Sequence, residues 1–407
     1  MKNNVVINRC QWVIALAIFM PNRAEALLLI ITLFFLFLRY GIVFRSRILK
    51  FLILVFLIST ISTYLIGYNY DKSIQQMIVL SVFILGYEQF FLFVRGDFRL
   101  LFSKYIRICL IISIFGLIQE LYYLIAQINI MSFVSSNYGT QLINNNLIRI
   151  SATTWEGGYL GTILTPCLFY LFYYNDPYKL LGWKKYVILF VALLTLSPFV
   201  FILLSIVFMV KLIHISKLNR TVLIAMLLCI FLYAGFSLQT AEYERDTGGV
   251  NGVFMRIKDS FQMMQLITAD DISRISELNT STATLASNMY IGFNAPSRLM
   301  GTGIGTNSQN HQKIMGKTFD DSFDFVSLNT DDGYSLFNRI LSELGVIGLL
   351  FYLFFVYKFF NKNNDINKCL FIIIACWFIR GGNYVIYGTI FFHFFYYYTS
   401  KFQLRFK

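Results

Sequence analysis

The chain has 407 residues, of which 57% are hydrophobic, 18% aromatic and only 14% charged. Soluble domains carry roughly a quarter charged residues. A mean hydropathy of +0.63 therefore excludes an ordinary water-soluble globule and predicts one polytopic all-α membrane domain over residues 1–407. The formal charge of +13 would suit nucleic acid, but it is spread along the chain as a membrane-topology signal, and no nucleic-acid partner is expected.

In chain order, about twelve transmembrane helices are expected, near 5–20, 24–38, 51–67, 74–94, 108–129, 157–174, 186–197, 198–210, 221–238, 336–357, 369–380 and 384–400. A helix needs about 20 apolar residues to cross a bilayer alone, and several of these segments are shorter. The first follows Lys2 and Arg9 as a signal peptide would, but Pro21, Asn22 and Arg23 lead directly into a second apolar run, so an uncleaved first span is expected. The seventh and eighth meet at Ser197 and Pro198. They are read as two because proline breaks a helix, and because joining them would place the basic 211–220 stretch outside.

With the N-terminus in the cytoplasm, the inner segments hold 22 of the 34 basic residues and only three acidic ones, Asp97, Asp176 and Asp365. That is the positive-inside pattern, with both termini cytoplasmic. Two larger segments fall outside, 130–156 and 239–333, and the second holds seven basic and twelve acidic residues. The six cysteines, Cys10, Cys109, Cys167, Cys229, Cys369 and Cys376, lie in or beside apolar segments without metal spacing. They read as small buried hydrophobes, with no disulfide framework.

Charges beside apolar segments carry the candidate chemistry. Arg149 is the only charge among residues 130–155, and Glu156 opens the sixth segment. An acid there also complements a helix N-terminus, so a capping role competes with a chemical one. Glu120 lies toward the outer end of the fifth segment and Arg380 ends the eleventh. Charges at such depth face protein or water, which suggests a polar cavity opening outward.

In the long outer loop, Val253, Phe254, Ile257, Phe261 and Met264 share one helical face flanked by Arg256 and Lys258, the pattern of an amphipathic helix lying on the membrane. Further on, PSRLMGTGIGTN carries Arg298 and the alternating Gly301, Gly303 and Gly305. Either an anion-binding backbone nest or a plain tight turn fits it. Asp331 and Asp332 lie at the outer surface, and Arg339 and Glu343, four residues apart on the next helix, read first as a simple ion pair.

RISATTWEGGYLGTIL, LLTLSPFVFILLSIV, PSRLMGTGIGTN and DDGYSLFNRILSELGVIGLLFYL occur in this order. Together they resemble Wzy-type polymerases of O-antigen and capsule, across roughly residues 145–360. The resemblance implies a membrane-embedded, C-type glycosyltransferase. Such an enzyme joins oligosaccharide repeat units carried on undecaprenyl diphosphate, at the outer face of the bacterial cytoplasmic membrane. It needs neither a cofactor nor an essential metal, because the leaving group is already a lipid diphosphate. Its partners would be the lipid-linked donor and acceptor and the bilayer, together with a chain-length regulator and a flippase. Asp331 stands where O-antigen ligases usually carry histidine, which favours a polymerase.

The chemistry of the residues fits. Arginine grips phosphate oxygens bidentately, and Arg149, Arg256 and Arg298 are the outer arginines for that role. A carboxylate can take the proton of an acceptor hydroxyl, with Glu156 first and Asp331 or Asp332 second. Glu120, Arg339 and Arg380 would line the polar cavity. The rival readings are an O-antigen ligase and a lipid-linked oligosaccharide flippase, against which the single long loop breaks any symmetry between halves.

Overall fold

The computed structural model describes residues 3–42, 46–94, 96–133, 142–144, 147–213, 259, 262–263, 275, 278, 280–315, 329–381 and 383–402. Apolar surroundings oblige each segment to satisfy its own backbone, and helices result almost throughout. They are α1 (Asn3–Ala17), α2 (Asn22–Tyr40), α3 (Ser46–Ile66), α4 (Asp71–Val94), α5 (Phe98–Ala126), α6 (Gly157–Tyr173), α7 (Lys185–Leu194), α8 (Pro198–Ile213), α9 (Thr280–Asn294), α10 (Asn307–Met315), α11 (Leu336–Lys358), α12 (Asp365–Ile379) and α13 (Thr389–Thr399). A short antiparallel hairpin, β1 (Leu142–Asn144) with β2 (Leu147–Ile148), pairs Leu142 with Ile148.

Eleven of the twelve expected apolar segments coincide with α1–α8 and α11–α13, and the remaining one, 221–238, lies outside the described residues. The break between Ser197 and Pro198 is present: α7 ends at Leu194 and α8 begins with Pro198, where a missing N–H costs nothing. Among the described residues, four helices are long and apolar enough to cross a membrane: α3 over Ile48–Ile66, α4, α5 and α11. Others, such as Val5–Ala17 and Phe199–Met209, are shorter apolar helices. The protein is thus all-helical and suited to a membrane. Large apolar side chains point outward from α2, α3 and α11, with Leu38 71% and Phe351 68% exposed, and soluble monomers rarely leave such faces uncovered. The five described cysteines are buried and free.

Cross-contacts show that the helices alternate in direction. At one end, Thr153 Oγ1 donates to Phe19 O at the end of α1, Gly388 N before α13 donates to Glu25 at the start of α2, and Ile150 N donates to Leu194 O at the end of α7. Gly381 N, after α12, donates to Tyr334 O, before α11. At the other end, Lys104 Nζ donates to Asn8 O, Tyr174 Oη to Asp365, and Asn364 Nδ2 to Thr399 O. Between the ends, Phe91 of α4 stacks on Tyr398 of α13 at 5.4 Å and packs on Phe391 and Phe395 at 5.4 and 5.6 Å.

The alternating glycines form a packed wedge, not an anion nest. Gly301, Gly303 and Gly305 have φ of 73°, 104° and 82°, a region that favours glycine. Four of the segment's amides are already spent: Gly301 N donates to Ser297 O at 2.8 Å, Thr302 N to Ser342 O at 3.2 Å, Gly303 N to Glu343 O at 2.8 Å and Ile304 N to Ser59 Oγ at 2.6 Å. A Cβ on Gly301 would lie 2.3 Å from the Glu343 carbonyl. In return, Gly345 breaks α11 with φ 67°, and the freed amides of Val346 and Ile347 donate to Arg298 O and Leu299 O. The predicted amphipathic face, Val253, Phe254, Ile257, Phe261 and Met264 with Arg256 and Lys258, lies outside the described residues.

Candidate functional site

The site grows from the break between α7 and α8. Because α7 stops at Leu194, its last carbonyls need partners from elsewhere. Leu194 O receives Ile150 N at 3.3 Å, and Thr195 O receives Arg149 Nε at 2.5 Å. The chain before α6 is thereby fastened to the break. Gly157 and Gly161 allow the close approach: a Cβ on Gly157 would lie 2.8 Å from Ile150 O, and one on Gly161 would lie 2.4 Å from Ser197 Cβ.

Gly158 differs. A Cβ there would lie 3.4 Å from Arg149 Nη2, and 3.7 and 3.8 Å from Nη2 and Cζ of Arg380. Two guanidinium groups from positions far apart in the chain therefore face one spot over the first turn of α6. Opening amides of a helix carry unsatisfied N–H groups and a partial positive charge. A helix start beside paired arginines is chemistry suited to an anion. Arg149 and Arg380 are both half-buried, which limits screening. Arg380 is the C-cap of α12 and lies 5.5 Å over the Tyr334 ring.

Carboxylates border the same spot. Glu156 holds the N-cap position of α6, where its charge complements the helix start, and its side chain makes no cap hydrogen bond. Around the Tyr159 hydroxyl, Asp332, Glu156, Arg380 and Tyr334 all lie within electrostatic reach. Asp332 is half-buried and accepts Tyr334 N at 3.0 Å. Burial pushes the Asp332 carboxyl up, with the charges of Asp331 and Glu156 adding, against the Tyr334 amide and Arg339, which pull it down; the net direction is upward. Trp155 and Tyr159, half-buried, give the rim an aromatic face, and both pack on Tyr387 at 6.1 and 5.1 Å.

The remaining sequence candidates lie elsewhere. Asp331 is 72% exposed and pairs with Lys72 at 2.9 Å. Burial would raise its carboxyl, but the hydrogen bond and charge of Lys72, with Ser308 and Arg339, hold it below the usual carboxylate range. Arg339 is buried and paired with the equally buried Glu343 at 3.3 Å, its guanidinium 4.3 Å over Tyr384. It packs against the turn that carries Asp332, where a Cβ on Gly333 would lie 3.1 Å from Arg339 Cβ. Glu120 is buried and accepts Ile148 N at 3.2 Å, anchoring β2 one residue before Arg149. Arg298 is exposed and donates to Asn294 Oδ1 at 3.3 Å. Arg256 lies outside the described residues. Of the predicted set, the structure gathers Arg149, Glu156, Asp332 and Arg380.

Two residues escaped sequence reasoning. Tyr387 accepts Trp155 N at 2.6 Å, and Glu25 holds the adjacent Gly388. An acid inside an otherwise apolar second segment was the available signal for Glu25. Among the described residues no group of three or more His, Cys, Asp or Glu side chains gathers as a metal site.

Fold and site define an all-helical, membrane-suited protein in which two arginines, Arg149 and Arg380, meet over the start of α6. Comparison with known proteins finds no matching family profile, no matching curated protein and no matching solved structure.

Proposed function

We propose that this protein is a polymerase that joins undecaprenyl-diphosphate-linked oligosaccharide repeat units into O-antigen or capsular polysaccharide. It acts at the outer face of the bacterial cytoplasmic membrane, with twelve spans and both termini inside. The observation that carries the reading is the convergence of Arg149 and Arg380 over Gly158, beside Glu156 and Asp332. A lipid diphosphate is the leaving group such a cradle suits. In the reaction an acceptor hydroxyl attacks the donor's anomeric carbon, and the bond from that carbon to the diphosphate oxygen breaks. The proton passes to a carboxylate, Glu156 first and Asp332 second. The departing diphosphate keeps the electron pair, and its new charge is stabilised by the two arginines and the α6 amides. The flanking aromatic rings Trp155 and Tyr159 offer apolar faces to a sugar ring.

Purified protein supplied with a lipid-linked repeat unit tests this. Arg149→Ala loses a hydrogen bond to a charged group, worth about 1.5–3 kcal/mol, so polymer formation falls about tenfold to more than a hundredfold. Arg149→Lys keeps the charge without the fork and falls less. A normal glycan ladder from Arg149→Ala at normal protein level removes this residue from the site.

A further inference from the structure

Glu25 is an enclosed acid near this end of the molecule, with 1% of its surface exposed. One carboxylate oxygen accepts the Tyr87 hydroxyl at 2.5 Å; the other accepts the Gly388 amide at 2.9 Å. That second bond lands on an unusual backbone. Tyr387 and Gly388 are consecutive left-handed residues, with φ of 43° and 73°. For tyrosine this conformation is costly and persists only where its surroundings over-determine it. Gly388 is also pressed against α1, where a Cβ would meet Ile18 Cβ at 2.7 Å.

The turn so held aims the fully buried Tyr387 at the site. Its hydroxyl accepts Trp155 N at 2.6 Å, one residue before Glu156. Thr153 is fixed in parallel by its hydroxyl bond to Phe19 O at 2.8 Å. The segment that delivers Arg149 and Glu156 is thus tied on one side to the α7–α8 break and on the other to Tyr387.

We infer that Glu25 is a positioning residue for this site, acting through Gly388 and Tyr387 on the Trp155 amide and so on the placement of Glu156 over α6. The structural half of this inference stands without the polymerase reading; its effect on turnover rests on that reading.

The experiment uses the full chain in lipid nanodiscs and reads amide hydrogen exchange at Trp155 beside turnover of a lipid-linked repeat unit. Glu25→Leu and Tyr387→Phe are each expected to speed Trp155 exchange at least about tenfold, while the 359–368 segment at the opposite end keeps wild-type exchange. Glu25→Gln retains an acceptor oxygen for Gly388 and restores most of the protection. A misplacement of this size costs on the order of tenfold to a hundredfold in kcat, with KM for the lipid donor unchanged. The double variant falls no further than the worse single one, because both act through one path. Should Glu25→Leu fail to fold, Glu25→Asp withdraws the carboxylate by one methylene and gives the same reading. Wild-type Trp155 exchange in the Glu25 variants, or losses that multiply in the double variant, overturn the inference. A wild-type protein that joins no repeat units sinks the polymerase reading instead, and Trp155 exchange still decides the role of Glu25.

Discussion

Two polar regions sit at the same end of the helices and handle their polar groups in opposite ways. Around the 301–306 wedge, amides, hydroxyls and charges close on one another: Glu343 pairs with Arg339, its backbone receives Gly303, and Ser342 receives Thr302 while its hydroxyl donates to Asn307. Around Gly158, like charges face a common spot, and Glu156 makes no cap bond. Buried polar groups that satisfy one another rigidify a structure. Over Gly158 the two guanidinium groups stand close together, with Glu156 and Asp332 nearby. On the proposed function, the first region supports and the second acts. Substitutions in the wedge should cost stability first, and substitutions over α6 should cost activity alone.

The largest effect is expected from Glu343→Ala. It leaves the Arg339 guanidinium, 2% exposed, buried without its partner. Removing one member of a buried pair costs about 3–5 kcal/mol, which should appear as a large drop in thermal midpoint or as loss of folded protein from detergent extracts. An unchanged midpoint would mean that the wedge is not the support described here.

Next is Gly301→Ala. A Cβ 2.3 Å from the Glu343 carbonyl, added to a left-handed backbone, costs at least about 2 kcal/mol. Size-exclusion profiles and thermal midpoints read it directly. Turnover per folded molecule should stay close to wild type, because nothing over α6 has moved.

Gly158→Ala sharpens the comparison from the other side. The nearest atoms to the new Cβ, at 3.4 Å and beyond, are in ordinary contact, so the fold should accept it. Alanine is also the better helix former, and the midpoint should hold or rise. The methyl group nevertheless occupies the point that both arginines face, so polymer formation should drop about tenfold, equivalent to about 1.4 kcal/mol. Normal activity in this variant would separate the arginine pair from the chemistry.

These regions were unequally legible in the sequence. Arg149 and Glu156 stood out because a lone charge in a neutral segment and an acid at the start of an apolar run are both visible in one dimension, and the Pro198 break was visible for the same reason. Arg380 was recognisable as a cavity residue, but its meeting with Arg149 depends on how α12 and α6 pack, which no local pattern encodes. The glycine alternation marked special backbone without saying what approached it. Its meaning came from Ser59 and Glu343, on α3 and α11, which take up the amides. Asp331 and Asp332 are adjacent and looked equivalent, yet the turn closed by Tyr334 N sends one inward and leaves the other to Lys72.

That last divergence gives the smallest expected effect. Asp331 and Lys72 are 72% and 58% exposed, and exposed ion pairs contribute about 0–1 kcal/mol because water and salt screen them. The Asp331 carboxyl is held below its ordinary range, Lys72 outweighing burial. Its contribution is therefore present above the ordinary aspartate pKa and lost as pH falls through the lowered value. Asp332 runs the other way. Its raised carboxyl favours the fold at pH below the ordinary aspartate value, and that contribution disappears as pH climbs through the raised one. Asp331→Asn should thus leave turnover at neutral pH unchanged and remove only a small acid-side loss of stability. Asp332→Asn should remove stability that is gained on acidification and lower turnover if this carboxylate shares the proton with Glu156. Midpoints measured across acidic to neutral pH for both variants make the test. An Asp331→Asn protein that folds normally but makes no polymer would return that residue to the site and erase the distinction between the neighbours.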